Sequence, residues 1–160
     1  ELGGELQASS GAPFSVWMGG DPLGENSTDP WDKPNRLNGP GCGSLVNPGN
    51  PNNYIKTQCF AVPNPITLLG NEGRNVLTGP GLLNLDTSLF KNNYIKSISE
   101  AFNIQFRAEF FNVLNRANFA PPLDNFIVFN QDGSRVANAG VIDATQTPSR
   151  QIQFGLKLIW

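Results

Sequence analysis

Residues 102–110 alternate without a break. Phe102, Ile104, Phe106, Ala108 and Phe110 are apolar, and Asn103, Gln105, Arg107 and Glu109 between them are polar. A period of two predicts a β-strand with one greasy and one wet face. The rival helix would align Phe102, Phe106 and Phe110, but it would throw Ile104 to the opposite side and set Arg107 and Glu109 beside the apolar stripe. The C-terminus repeats the pattern: Ile152, Phe154, Leu156, Leu158 and Trp160 alternate with Gln151, Gln153, Gly155, Lys157 and Ile159. A third segment sets Leu83, Leu85, Thr87 and Leu89 against Asn84, Asp86, Ser88 and Phe90. A fourth, from Glu5 to Trp17, is weaker, and Pro13 within it points to a strand end or an edge.

Between these segments the character changes. In residues 18–81, Gly, Pro and Asn fill 30 of 64 positions, a density that breaks helices and ladders alike. A second excursion, residues 118–148, holds Pro121-Pro122 and the turn sequence Gln131-Asp132-Gly133-Ser134. The predicted organisation is a strand over 1–17, a long outer loop over 18–81, a β-hairpin over 82–117, a second loop over 118–148 and a last strand over 149–160. The fold class is therefore all-β, an antiparallel meander of about four long strands with two long irregular loops. Long, short, long is also the rhythm of connections in a transmembrane barrel, whose strands of about 9–11 residues are apolar outward and polar inward. A water-soluble sandwich alternates too, so periodicity alone leaves both open.

Composition narrows the chemistry. The chain has no His, which excludes Ser-His-Asp and Cys-His nucleophile systems and His-ligated metals. A net charge of −2 and a pI near 5.0 give no footprint for nucleic acid. No Ser stands in a G-x-S-x-G elbow. Gly39–Ser44 is glycine-rich but lacks the Lys of a phosphate loop, and the acidic and amide residues of 124–132 lack EF-hand spacing. No catalytic residue, metal site or cofactor is expected. Asn26-Ser27-Thr28 matches a glycosylation sequon by pattern only. Cys42 and Cys59 lie 17 positions apart in the Gly/Pro-rich loop. They are either two unrelated thiols or a disulfide of an oxidising compartment, and a bridge closing such a loop would be worth about 3 kcal/mol.

Three stretches carry a family resemblance. Gly70-Asn71-Glu72-Gly73-Arg74-Asn75, Gly79-Pro80-Gly81 and Asp86–Asn92 form the first. Gln105–Asn115 with Asn118-Phe119 form the second, and Arg150–Trp160 with its terminal aromatic the third. Together they resemble the late barrel of TonB-dependent outer-membrane receptors, in particular the Oar-like group with a carboxypeptidase-regulatory-like extension. Such receptors are several times longer, so the resemblance implies a C-terminal piece without plug or TonB box. It implies that Phe102, Ile104, Phe106, Phe110, Ile152, Phe154, Leu156 and Leu158 face lipid. Arg107, Glu109, Gln151, Gln153 and Lys157 then face the lumen, a sorting that physics demands because a charge near the midplane of the lipid face costs about 2–4 kcal/mol. It implies a barrel-assembly signal at Trp160, and outer-mouth aromatics Trp17, Trp31 and Tyr54 able to stack on a sugar or an aromatic chelate. The implied partners are the rest of the barrel and its plug, outer-membrane lipid and the barrel-assembly machinery. Four strands cannot close a barrel, so open edges leave self-association into a β-rich extracellular filament as an alternative, with a soluble binding or hydrolytic domain as a second.

Overall fold

The computed structural model describes residues 1–22, 24, 31–64, 66 and 69–160, for Trp31 the backbone alone. The sequon at Asn26-Ser27-Thr28 and the side chain of Trp31 lie outside the described residues. The strands in chain order are β1 (Leu2–Ser9), β2 (Pro13–Phe14), β3 (Trp17–Gly19), β4 (Trp31–Asp32), β5 (Asn35–Arg36), β6 (Phe60–Ala61), β7 (Leu77–Thr78), β8 (Leu82–Tyr94), β9 (Asn103–Phe111), β10 (Ile127–Phe129) and β11 (Gln151–Ile159). They belong to two compact units: a sheet unit of 1–9, 82–118 and 145–160, and a loop unit of 10–81 and 119–144.

The sheet unit is one antiparallel layer in the order β1-β8-β9-β11, the predicted four-strand meander. Ser9 is the partner of Leu82 and Phe111 the partner of Gln151, so both long excursions leave the same end of the sheet. The other end carries the one short connection, residues 95–102, from β8 to β9. The first strand is shorter than the pattern suggested, because its alternation fades after Ala8 and Pro13 cannot donate to the ladder. Phe102 is a correction to the reading of a nine-residue alternating strand. It sits in the turn, where its N–H reaches Ser99 O at 3.2 Å and its carbonyl accepts from Ile95 N at 3.0 Å.

The loop unit is not the irregular excursion that its composition suggested. Val16, Met18, Ile55, Phe60 and Val128 are wholly buried there, with Phe14, Leu77 and Phe129 around them. Short strands frame this core: β10-β3-β4 form one small sheet, and β2-β7 and β5-β6 form two pairs. The two excursions interlock. Arg135 donates from Nη1 to Thr57 O (2.6 Å) and from Nη2 to Phe60 O (3.1 Å), and Gly140 O accepts from the N–H groups of Tyr54 and Ile55. Gly140 has φ +77°, and a Cβ there would lie 2.6 Å from Ile55 Cβ, so only glycine fits this approach. Cys42 and Cys59 are joined in a disulfide with Cα atoms 5.5 Å apart, sealed within the same core.

Candidate functional site

Register sorts the side chains of the sheet unit. Directly paired residues share a face, so each row across the sheet is one environment. On one face stand Ile104, Phe106 and Phe110 of β9, opposite Leu158, Leu156 and Ile152 of β11. Phe154, opposite Ala108, stacks on Phe106 with ring centroids 6.2 Å apart and meets Phe110 edge-on at 6.4 Å. Leu83, Leu85 and Leu89 of β8 continue this face, opposite Ala8, Leu6 and Leu2 of β1. Nothing in the described chain covers the apolar side chains at its two flanks: Leu6 is 65% exposed, Phe154 69% and Leu156 67%. A soluble sandwich would bury these positions against a second layer.

The other face is polar. Arg107 is opposite Gly155 and Glu109 opposite Gln153, with Lys157 opposite Gln105 and Gln151 opposite Phe111. Arg107 and Glu109 form an ion pair along their own strand rather than across strands, and the Arg107 guanidinium lies over the Phe90 ring at 4.8 Å. Glu5, Asp86 and Glu109 share a shallow open depression on this face with Ser88. Asn84, Asn92 and Gln7 add neutral hydrogen-bonding groups, and Gln105 donates to Asn92 Oδ1 at 3.1 Å.

Three asparagines at spacing three clasp the excursion end of the sheet. Asn112 donates its N–H to Asp86 Oδ1 (2.8 Å) and its amide to Arg116 O (3.0 Å) and Pro148 O (3.1 Å). Asn115 Oδ1 accepts from Arg150 N at 3.4 Å. Asn118 Oδ1 accepts from Leu83 N, and its amide donates to Thr147 Oγ1, both at 3.0 Å. Asn112 and Asn115 have φ of +48° and +49°, a conformation that Asn tolerates better than most residues. The sequence showed these asparagines as motif letters only; the N-x-x-N-x-x-N spacing directly after a strand was the available signal of a clasp. Gly70-Asn71-Glu72 plays a similar part in the loop unit. Asn71 Oδ1 accepts from Arg36 N (2.6 Å) and Asn71 N donates to Asn35 Oδ1 (2.9 Å), while a Cβ at Gly70 would strike Lys33 O.

The proposed loop aromatics fare differently. Tyr54 is 2% exposed, and its hydroxyl donates to Thr78 O at 2.7 Å, so it is a core residue rather than a stacking platform. Burial also pushes its phenol above the ordinary value. Trp17 is half-buried, with Lys33 Nζ 3.6 Å from its ring centroid, so one face of the indole is taken. Trp160 is 88% exposed. Among the described residues no group of three or more acidic or cysteine side chains is placed to hold a metal ion.

A family model described as an outer membrane beta barrel domain matches residues 1–153. The chain belongs to this family. No curated protein and no solved structure matches it. Within a barrel, the apolar band also has a meaningful slope. On β8 it spans the rows of Leu83 to Leu89, and on β9 and β11 the rows of Thr87 to Asn93, a shift of four residues. The band therefore runs oblique to the strands rather than square to them. Transmembrane barrels tilt their strands by about 35–45° to the barrel axis, so a band level with the bilayer is expected to run oblique to them.

Proposed function

We propose that this outer-membrane barrel chain forms the C-terminal wall and outer loops of a TonB-dependent receptor for a chelate or a carbohydrate, with no catalytic step of its own. The observation that carries the reading is the single-layer sheet with an open apolar face on one side and Arg107, Glu109, Gln151, Gln153 and Lys157 on the other. A wall of this kind separates hydrocarbon from a watery lumen. The finer assignment draws on the resemblance of Gly70–Asn75, Gln105–Phe119 and Arg150–Trp160 to that receptor group.

In this reading the short 95–102 connection is periplasmic, and the excursions of 10–81 and 112–150 belong to the outer side. The free edges of β1 and β11 pair with further strands of the same receptor. The exposed Trp160 next to β11 is offered to the barrel-assembly machinery, and the plug fills the lumen that the polar face lines. Lumen side chains rich in amides suit a hydroxyl-bearing or chelated solute, which trades hydrogen bonds with water for hydrogen bonds with the wall. Filament formation would instead close the same edges with copies of the chain.

Uptake in intact cells tests the transport reading. The complete receptor is expressed in an outer membrane, and labelled ferric chelates, cobalamin and oligosaccharides are offered with and without a protonophore. Accumulation of at least one probe should require both the receptor and the inner-membrane proton gradient. Accumulation that ignores the gradient, or no accumulation of any probe, refutes TonB-driven transport.

A further inference from the structure

The apolar face of the sheet unit carries a cation. Lys91 follows Leu89 by two positions on β8, so it projects to the side of Leu83, Leu85 and Leu89. Its partner on β9 is Phe106, whose own partner on β11 is Leu156. Lys91 is exposed and has no salt-bridge partner among the described residues. Asn93, the next residue on this face, is polar and exposed as well.

A lysine within a hydrocarbon-facing band is out of place, whereas one at its margin is at home. The slope of the band decides which applies. On β8 the apolar run stops at Leu89, yet on β11 it continues past that level through Leu156 and Leu158. Lys91 and Leu156 therefore share a row but not a depth. The margin passes between Leu89 and Lys91 on β8 and lies beyond Leu158 on β11. The nearby short connection marks this margin as the periplasmic one. The inner leaflet there presents lipid phosphates at the level of the Lys91 ammonium, while acyl chains lie along the leucines above it.

We propose that Lys91 is a lipid-binding residue that holds the phosphate of an anionic phospholipid in the inner leaflet of the outer membrane. Asn93 supplies a second polar group to the same headgroup. The site rests on the barrel's place in the membrane and not on the transport reading, so it stands whatever the barrel carries. Charge complementarity fixes the occupant. The flexible four-carbon stem lets the ammonium reach the headgroup layer from the row it shares with Phe106.

The test uses the complete barrel protein in vesicles, with spin-labelled phosphatidylglycerol and phosphatidylcholine as probes. The motionally restricted lipid should be enriched in phosphatidylglycerol. Lys91→Gln should reduce that enrichment by about five-fold, the effect expected of one lysine at an anionic surface. Lys91→Arg should retain it, and so should Lys157→Gln, which removes a cation from the opposite face. Unchanged enrichment in Lys91→Gln overturns the proposal. Depth is read separately, by attaching a nitroxide at Lys91→Cys or Leu156→Cys. The first should relax faster with a water-soluble nickel chelate and the second with dissolved oxygen. Equal depths for these two row-mates overturn the proposal too.

Discussion

The two units of this chain solve the same problem in opposite solvents. The loop unit is built for water: Val16, Met18, Ile55, Phe60 and Val128 vanish into a shared interior, and a disulfide lies within it. Every member of the chain's buried hydrophobic cluster belongs to that unit. The sheet unit has no such interior. Its β11 is exposed at every position, and its aromatic and aliphatic side chains form a band rather than a centre. Its own ladders satisfy the backbone, and its apolar face needs hydrocarbon outside the protein. Hydrophobicity here therefore marks two different destinations, and the alternation of side chains decides between them. Where apolar residues alternate strictly with polar ones over nine positions, they leave the protein. Where they fall singly among Gly, Pro and Asn, they enter it.

Removing a large buried ring should break the loop unit most severely. Phe60→Ala deletes a wholly buried side chain beside the disulfide. A loss of about 3–5 kcal/mol is expected, read as early protease cleavage within 10–81 while the strands stay protected by the membrane. The converse substitution addresses the sheet unit. Leu156→Arg puts a charge in the middle of the apolar run of β11 and should cost about 2–4 kcal/mol of membrane stability. Gln153→Arg, three residues away on the polar face, should leave stability within about 0.5 kcal/mol. Folding of the two variants into vesicles under urea titration reads the difference, and equal losses would show that the two faces do not meet different solvents.

Much of the sheet unit was legible because a strand that separates two solvents must write its period into its side chains. The alternation over 102–110 and 152–160 located strands β9 and β11 and sorted their apolar residues from their polar ones. The limits of the strands were less legible. Phe102 continues the alternation but belongs to the turn, since the period carries no information about where pairing stops. The core of the loop unit was hidden because it has no period at all. Its buried residues come from short strands, 3₁₀ turns and bare loops, and they are brought together by contacts between distant segments such as Arg135 with Thr57 and Phe60. Tyr54 illustrates the cost: in a loop without a visible core it looked available for a ligand, whereas its hydroxyl is committed to Thr78. The asparagine clasp at 112, 115 and 118 was visible as letters, but its partners Asp86, Arg150 and Leu83 lie on other strands that only the register identifies.

The smallest expected effect separates the units by pH. Glu72 of the loop unit is 6% exposed. Burial raises its carboxyl above the ordinary value of 4.5, against the opposing pull of Arg36 and Lys33. The folded unit therefore holds this proton more tightly than the unfolded chain does. By linkage, the contribution of Glu72 is most favourable below the unfolded value and declines as pH rises through the folded one. Glu72→Gln keeps the shape and removes the ionisation, so it should stabilise the loop unit at neutral pH. The gain should shrink as pH falls toward 4.5 and vanish below it. Melting of the purified protein across this range, followed by a probe confined to the loop unit, gives the sign directly. A variant that is less stable than the parent at neutral pH would show that the attraction of Arg36 and Lys33 outweighs the burial of the carboxylate.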